Sequence, residues 1–141
     1  ILLAHFPGPL ANRILGEQAW KAEQSDVRKK VRDVLEVTGR YESLPKWNKI
    51  AIKLRAARGC QEHTEQIEAL TATRDPEGLE ILRYYANKPK TGCGTFNRQD
   101  CYGCIRKDLA HAIETLEQYE PPSESDESSK AKTDADKATG T

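Results

Sequence analysis

The sequence predicts an all-α domain: a compact bundle of five or six short-to-medium helices held by two disulfide bonds, followed by a disordered C-terminal tail. Apolar residues recur at helical spacing along most of the chain, and no run alternates polar and apolar residues for long enough to predict a strand. The 141 residues also contain four cysteines, an even number. We expect the helical domain to cover residues 1–119 and the tail residues 120–141.

The first two helices are predicted at residues 10–20 and 26–37. Gly16 is a weak point of the first helix, because glycine is a poor helix former. Ser25 is the predicted N-cap of the second helix, and Gly39 supplies its C-terminal stop. The second helix repeats apolar residues at helical spacing, and these should face inward: Val27, Val31, Val34 and Leu35.

The next segment, "LPKWNKIAIKLRAARG", predicts a helix with Pro45 near its first turn. After Gly59, "CQEHTEQIEAL" either continues this helix or begins a new one after a kink. Each segment has one apolar stripe: Trp47, Ile50, Leu54 and Ala57 in the first, and Cys60, His63, Ile67 and Leu70 in the second.

Two further helices are predicted on either side of the loop "KPKTGCGTFNRQ". The helix before the loop should begin with Asp75 as N-cap and Pro76 in the first turn. Asp100 is the expected cap of the helix after the loop. Their predicted inward residues are Leu79, Leu82 and Tyr85 before the loop, and Ile105, Leu109, Ala112, Leu116 and Tyr119 after it.

Both ends of the chain are unlike the middle. "ILLAHFPGPL" is too short, and too interrupted by proline, for a membrane span or an intact signal peptide. Since the chain contains no methionine, we expect its original start to have been lost by processing or by excision of the domain. Residues 120–141 contain no large apolar residue and are rich in serine and acidic residues, a composition typical of disorder.

The net charge is zero but is unevenly distributed. Residues 1–60 contain twelve basic and six acidic residues, residues 61–119 seven and ten, and the tail three and six. A basic front half can bind anionic partners, although this excess is modest for a dedicated nucleic-acid-binding protein.

The four cysteines allow three interpretations, of which we favour two disulfides. An even cysteine count in a small chain is typical of a secreted protein. Cys60 should bond to Cys101 or Cys104, and Cys93 should bond to the other. The alternatives are a zinc site formed by Cys60, His63, Cys101 and Cys104, and a redox-active C-x-x-C pair at "CYGC".

No motif indicates catalysis. The sequence contains no G-x-S-x-G, H-E-x-x-H or phosphate-loop pattern. His63 and His111 fall on or beside apolar stripes, where a histidine at the edge of the core with one hydrogen bond is the simpler interpretation. We therefore lean towards a protein that is not an enzyme and has no cofactor, with zinc as the alternative cofactor.

Basic residues are concentrated on the second and third helices and could form one binding patch for phosphates or anionic headgroups. Solvated faces of two amphipathic helices are the other interpretation. Of the adjacent Tyr84 and Tyr85, only one can point inward, so we expect Tyr84 to be exposed and to contact a protein partner. The candidate patch contains Arg28, Lys29, Lys30, Arg32, Lys46, Lys49, Lys53, Arg55 and Arg58.

These observations favour a secreted, extracellular, disulfide-stabilised protein, effector-like or a binding factor, that acts by recognising a protein partner. The alternative is an intracellular zinc-stabilised helical module that binds nucleic acid or another anionic surface through its basic face. A C-x-x-C thiol oxidoreductase is the third hypothesis.

Overall fold

The computed structural model describes residues 8–119 and confirms the all-α fold class. The predicted disordered tail, residues 120–141, lies outside the described residues, as does His5. The described part contains six α-helices: α1 (Pro9–Lys21), α2 (Ser25–Val37), α3 (Lys46–Ala56), α4 (Gly59–Ala72), α5 (Pro76–Ala86) and α6 (Arg106–Glu117).

The helices pack as three successive pairs, α1 with α2, α3 with α4, and α5 with α6. Contacts of α1 with α3 and of α4 with α6 join the pairs around one apolar core. The side chains most completely buried in this core come from all six helices and the turn before α6; they include Leu15, Leu35, Leu54, Leu70, Leu82, Tyr85, Ile105 and Leu109.

Several helix ends follow the predicted signals. Asp75 is the N-cap of α5, and its carboxylate accepts a 3.0 Å hydrogen bond from the Glu77 N–H. Gly39 has φ +67° beyond the end of α2. The prediction for Ser25 is wrong: Gln24 is the N-cap, and Ser25 is the first helical residue with no capping hydrogen bond.

Between α3 and α4 the chain begins a new helix. Gly59 has φ +75°, a conformation that favours glycine, and the Glu62 carboxylate accepts a 2.6 Å hydrogen bond from the Arg58 N–H. Glu62 therefore reaches back to the start of α4 as the second partner of a capping box would. The prediction left both a continuous helix and a restart open, and the structure has the restart.

Three predicted positions are wrong. The Asp100 carboxylate accepts a bond from the Tyr102 N–H, but α6 begins only at Arg106, after a 3₁₀ turn at Gly103–Ile105. Tyr119 is 47% exposed and lies against the Arg74 guanidinium, and Val27 is also exposed. Val27 and Tyr119 lie near helix ends. There the apolar spacing of the sequence continues, but the core no longer covers the helix.

The packing of α1 on α3 depends on a glycine. A Cβ atom at Gly16 would lie 2.6 Å from Asn48 Nδ2 and 2.9 Å from Leu44 Cδ2. Asn48 is buried, and its Oδ1 has no hydrogen-bond partner. Gly16 therefore allows the two helices to approach closely. Its low helix propensity alone predicted only a weak point in α1.

Candidate functional site

All four cysteines form disulfides. Cys60, in the first turn of α4, bonds to Cys104 in the 3₁₀ turn before α6, and Cys93 bonds to Cys101 within the loop between α5 and α6. This is one of the two pairings that the sequence favoured. The first bond spans 44 residues and the second only 8.

The pairing bears on the two alternative interpretations of the cysteines. Cys101 and Cys104 belong to different disulfides, whereas a C-x-x-C oxidoreductase bonds its two cysteines to each other. The proposed zinc ligands would need both disulfides to be reduced, because zinc binds thiolates. Within residues 8–119, no group of three or more His, Cys, Asp or Glu side chains is arranged to hold a metal ion.

The disulfide-closed segment Cys93–Cys101 is hereafter called the Phe96 loop. Two short antiparallel strands, Gly92–Cys93 and Gln99–Asp100, form its base, with Cys93 opposite Gln99. The tip is a 3₁₀ turn in which Phe96 and Asn97 have φ angles of +61° and +54°. Phe96 is 84% exposed. The loop therefore presents a large apolar side chain on a short, covalently closed scaffold.

The base of the Phe96 loop is fixed by Arg106, which sequence analysis did not single out. Its guanidinium binds both Asp100 carboxylate oxygens, with distances of 2.8 Å (Nε–Oδ2) and 3.0 Å (Nη2–Oδ1). It also donates to the Ala86 and Lys88 carbonyls, at 2.7 and 2.9 Å. The Ala86 carbonyl belongs to the last turn of α5, where carbonyls lack helical partners, and the Lys88 carbonyl follows that turn. Arg106 therefore joins the end of α5, the end of the loop and the start of α6.

An aromatic row lies beneath this region and crosses the molecule from α1 to α4. Each neighbouring pair is edge-to-face, with ring centroids 5.4–6.1 Å apart. Tyr84 belongs to the row, so the expectation that it is exposed is wrong: it is half-buried, and the Lys88 ammonium lies 4.3 Å from its ring centre. In order, the members are Trp20, Tyr84, Tyr85, Tyr102 and His63.

The two remaining histidine positions differ. His63 is half-buried, and its Nδ1 lies 2.6 Å from the Gly59 carbonyl oxygen, in agreement with a core-edge histidine with one hydrogen bond. His111 is exposed, contrary to the core-edge interpretation, and lines a groove of about 410 Å³ between α4 and α6. The other lining residues of this groove include Ile67, Thr71, Arg74, Asp108, Ala112 and Tyr119.

The predicted basic patch is divided among different environments. Lys49 bonds to both the carbonyl and the carboxylate of Glu42, at 2.9 and 3.1 Å. Lys46 begins α3, about 14 Å along the helix axis from Arg55 at its other end. The side chains that line one shared depression are Arg28, Arg32 and Arg55, whereas the exposed residues outside it are Lys29, Lys30, Lys46, Lys53 and Arg58.

Within residues 8–119, no helix has both the length and the apolar composition needed to cross a membrane. Comparisons with protein-family models, with curated proteins and with solved structures found no match to this chain.

Proposed function

We propose that this protein is a secreted, disulfide-stabilised helical binding protein that recognises a protein partner through the Phe96 loop, with the Phe96 ring as its anchor. The observation that carries the proposal is the 84% exposure of Phe96 at the tip of a loop closed by the Cys93–Cys101 bond. The disulfides support secretion, because such bonds persist mainly in oxidising compartments.

The loop has the physical properties of a recognition element. Buried aromatic anchors dominate the energetics of many protein interfaces, and a loop already fixed in its bound shape loses less entropy on binding. The disulfide and the contacts of Arg106 supply that fixation. The backbone of Phe96 and Asn97 also adopts a left-handed conformation, which is unfavourable for such residues and concentrates at functional positions.

The proposal is tested with purified, non-reduced protein as bait against an array of extracellular and cell-surface proteins from its source. Saturable binding of a partner to the wild type should weaken by about thirtyfold or more in Phe96→Ser, the loss expected for a 2 kcal/mol anchor. Val37→Ser is the matched control, because Val37 is an apolar residue that is 88% exposed at the end of α2 and not part of the loop. A partner that binds Phe96→Ser as tightly as the wild type contradicts the assignment of this surface.

The two disulfide bonds are tested separately. Intact mass without reductant should equal that of a protein with two disulfides, and alkylation should label no cysteine until reductant is added. Four thiols that react freely in protein isolated from its native source would argue against secretion. They would favour the zinc site or the redox-active C-x-x-C pair instead. Metal content measured on the same samples, before and after reduction, separates those two alternatives.

A further inference from the structure

Three arginines from two helices line one small depression beside α1. Arg28 and Arg32 lie one turn apart on α2, and Arg55 lies in the last turn of α3. The depression has a volume of about 80 Å³. A single water needs roughly 10–15 Å³ by the same kind of measure, so the space fits one oxyanion of five heavy atoms.

The three guanidinium groups carry no neutralising carboxylate. Among residues 8–119, no acidic side chain forms an ion pair with Arg28, Arg32 or Arg55. The nearby Glu23 carboxylate instead lies 3.7 Å from Lys88 Nζ and accepts a bond from the Tyr84 hydroxyl. The depression therefore contains three positive charges without a counter-charge from the described chain.

Arg28 and Arg55 reach the depression from different surroundings. Arg28 is held in place because its Nη1 donates to the Ala22 and Glu23 carbonyls, at 2.6 and 2.7 Å, which leaves its other N–H groups available. Arg55 also lines the depression, and its Nε is buried on the side of the Tyr85 hydroxyl, so any ligand would meet the other N–H groups of this guanidinium.

We propose that Arg28, Arg32 and Arg55 form a binding site for a dianionic tetrahedral oxyanion, the phosphate of a phosphate monoester. Guanidinium forks bind such oxygens in pairs, and a dianion compensates more of the three charges than a carboxylate can. Ser25, the first residue of the 13-residue helix α2, also lines the depression and adds the positive end of a helix dipole. The inference is independent of the function proposed for the Phe96 loop.

The primary experiment is calorimetric titration of the full chain with inorganic phosphate and with inorganic sulfate, at pH 7.5 and low ionic strength. We expect one binding site per chain for each dianion and none for acetate at the same concentration. Arg32→Gln and Arg55→Gln should each weaken binding at least tenfold. Lys29→Gln and Lys53→Gln remove the same charge from exposed positions on the same two helices outside the depression, so they should change affinity less than twofold.

A second pair of measurements identifies the source of the oxyanion. Glycerol 3-phosphate represents a soluble ester, and vesicles containing phosphatidic acid present the same monoester group on a lipid surface, with phosphatidylserine vesicles as the control. The wild type should bind at least one of the two monoester probes with the same dependence on Arg32 and Arg55.

Clear results overturn the inference. It is wrong if neither phosphate nor sulfate binds at 10 mM. It is also wrong if the two lysine variants lose as much affinity as the arginine variants, because the anions would then bind to the general positive charge of the surface. If Arg55→Gln lacks the helical circular dichroism spectrum of the wild type, its affinity is set aside and the affinity of Arg32→Gln tests the site. Arg32 is only half-buried and has no role in the core, so this variant should fold.

Discussion

The Arg106 guanidinium and the Asp100 carboxylate meet through two parallel hydrogen bonds, with N–O distances of 2.8 and 3.0 Å. Both side chains are largely buried, and the same guanidinium satisfies backbone carbonyls at and just after the end of α5. The hydrogen bond from Arg106 is the main cause that holds the pKa of Asp100 below its ordinary value. The pair therefore couples the ionisation of one carboxyl to the position of the Phe96 loop.

This coupling predicts a pH dependence. Because the folded-state pKa of Asp100 is lowered, its contribution to stability is present above the unfolded-state value of about 3.9 and is lost as pH falls below it. Asp100→Asn should therefore be less stable than the wild type at pH 7, and the difference should shrink as pH falls below about 4. Urea unfolding of both proteins between pH 7 and pH 2.5 measures it. A difference that does not change with pH would show that Asp100 acts without its charge.

The two disulfides should contribute unequally to stability. Loss of the bond that spans 44 residues should cost about 4 kcal/mol, and loss of the bond that spans 8 about 2.5 kcal/mol, if each acts by restricting the unfolded chain. The two variants, each with both cysteines of one bond changed to serine, are compared by chemical unfolding. The opposite order would mean that strain or residual structure outweighs loop length.

Gly16→Ala should destabilise the protein, although alanine is the better helix former. The gain in helix propensity is about 1 kcal/mol, whereas overpacking a closed contact typically costs about 1–3 kcal/mol. Gly78→Ala on α5 is the matched control, since the nearest atoms to its new methyl group, on Leu70, would be 3.4 Å away. Thermal unfolding should show a lower Tm for Gly16→Ala and an unchanged or higher Tm for Gly78→Ala. A Tm increase in both variants would show that α1 and α3 move apart at little cost.

Tyr85→Phe should leave stability at pH 7 unchanged or slightly higher, because the buried Tyr85 hydroxyl makes no hydrogen bond in the structure. Burial is the main cause that raises the pKa of Tyr85, with the nearby Arg55 opposing it. Its neutral form therefore contributes stability that is present below the unfolded-state pKa of about 10 and is lost above it. The wild type should lose stability relative to Tyr85→Phe between pH 9 and pH 11, as measured by urea unfolding. A constant difference over this range would contradict the proposed ionisation.

The helices could be predicted because each carries its signal locally. Asp75 followed by Pro76 marks the start of α5, and Leu79, Leu82 and Tyr85 are buried as their spacing indicated. The spacing also identified the core residues of α6 and of the turn before it, from Ile105 to Leu116. It failed for Tyr119 because periodicity shows which residues share a face, but not how far the covering helices extend.

The candidate surfaces depend on contacts between distant residues and were only partly predictable. The sequence identified the loop, but not the short strand pairing at its base or the exposure of Phe96. Arg106 gave no local signal, because its partners come from α5 and the loop. Even so, the two glycines and two cysteines around Phe96 indicate a tight, crosslinked turn, from which an outward aromatic residue could have been proposed.

Both disulfides lie between residues 60 and 104, so crosslinks are unevenly distributed along the chain. A protease that cuts one peptide bond in α4 or α5 leaves two fragments joined by the Cys60–Cys104 bond. A cut between α2 and α3, at residues 38–45, separates the N-terminal helix pair from the rest with only packing to retain it. A single proteolytic nick there should therefore release a fragment, whereas nicked α4 or α5 should remain one molecule until reductant is added.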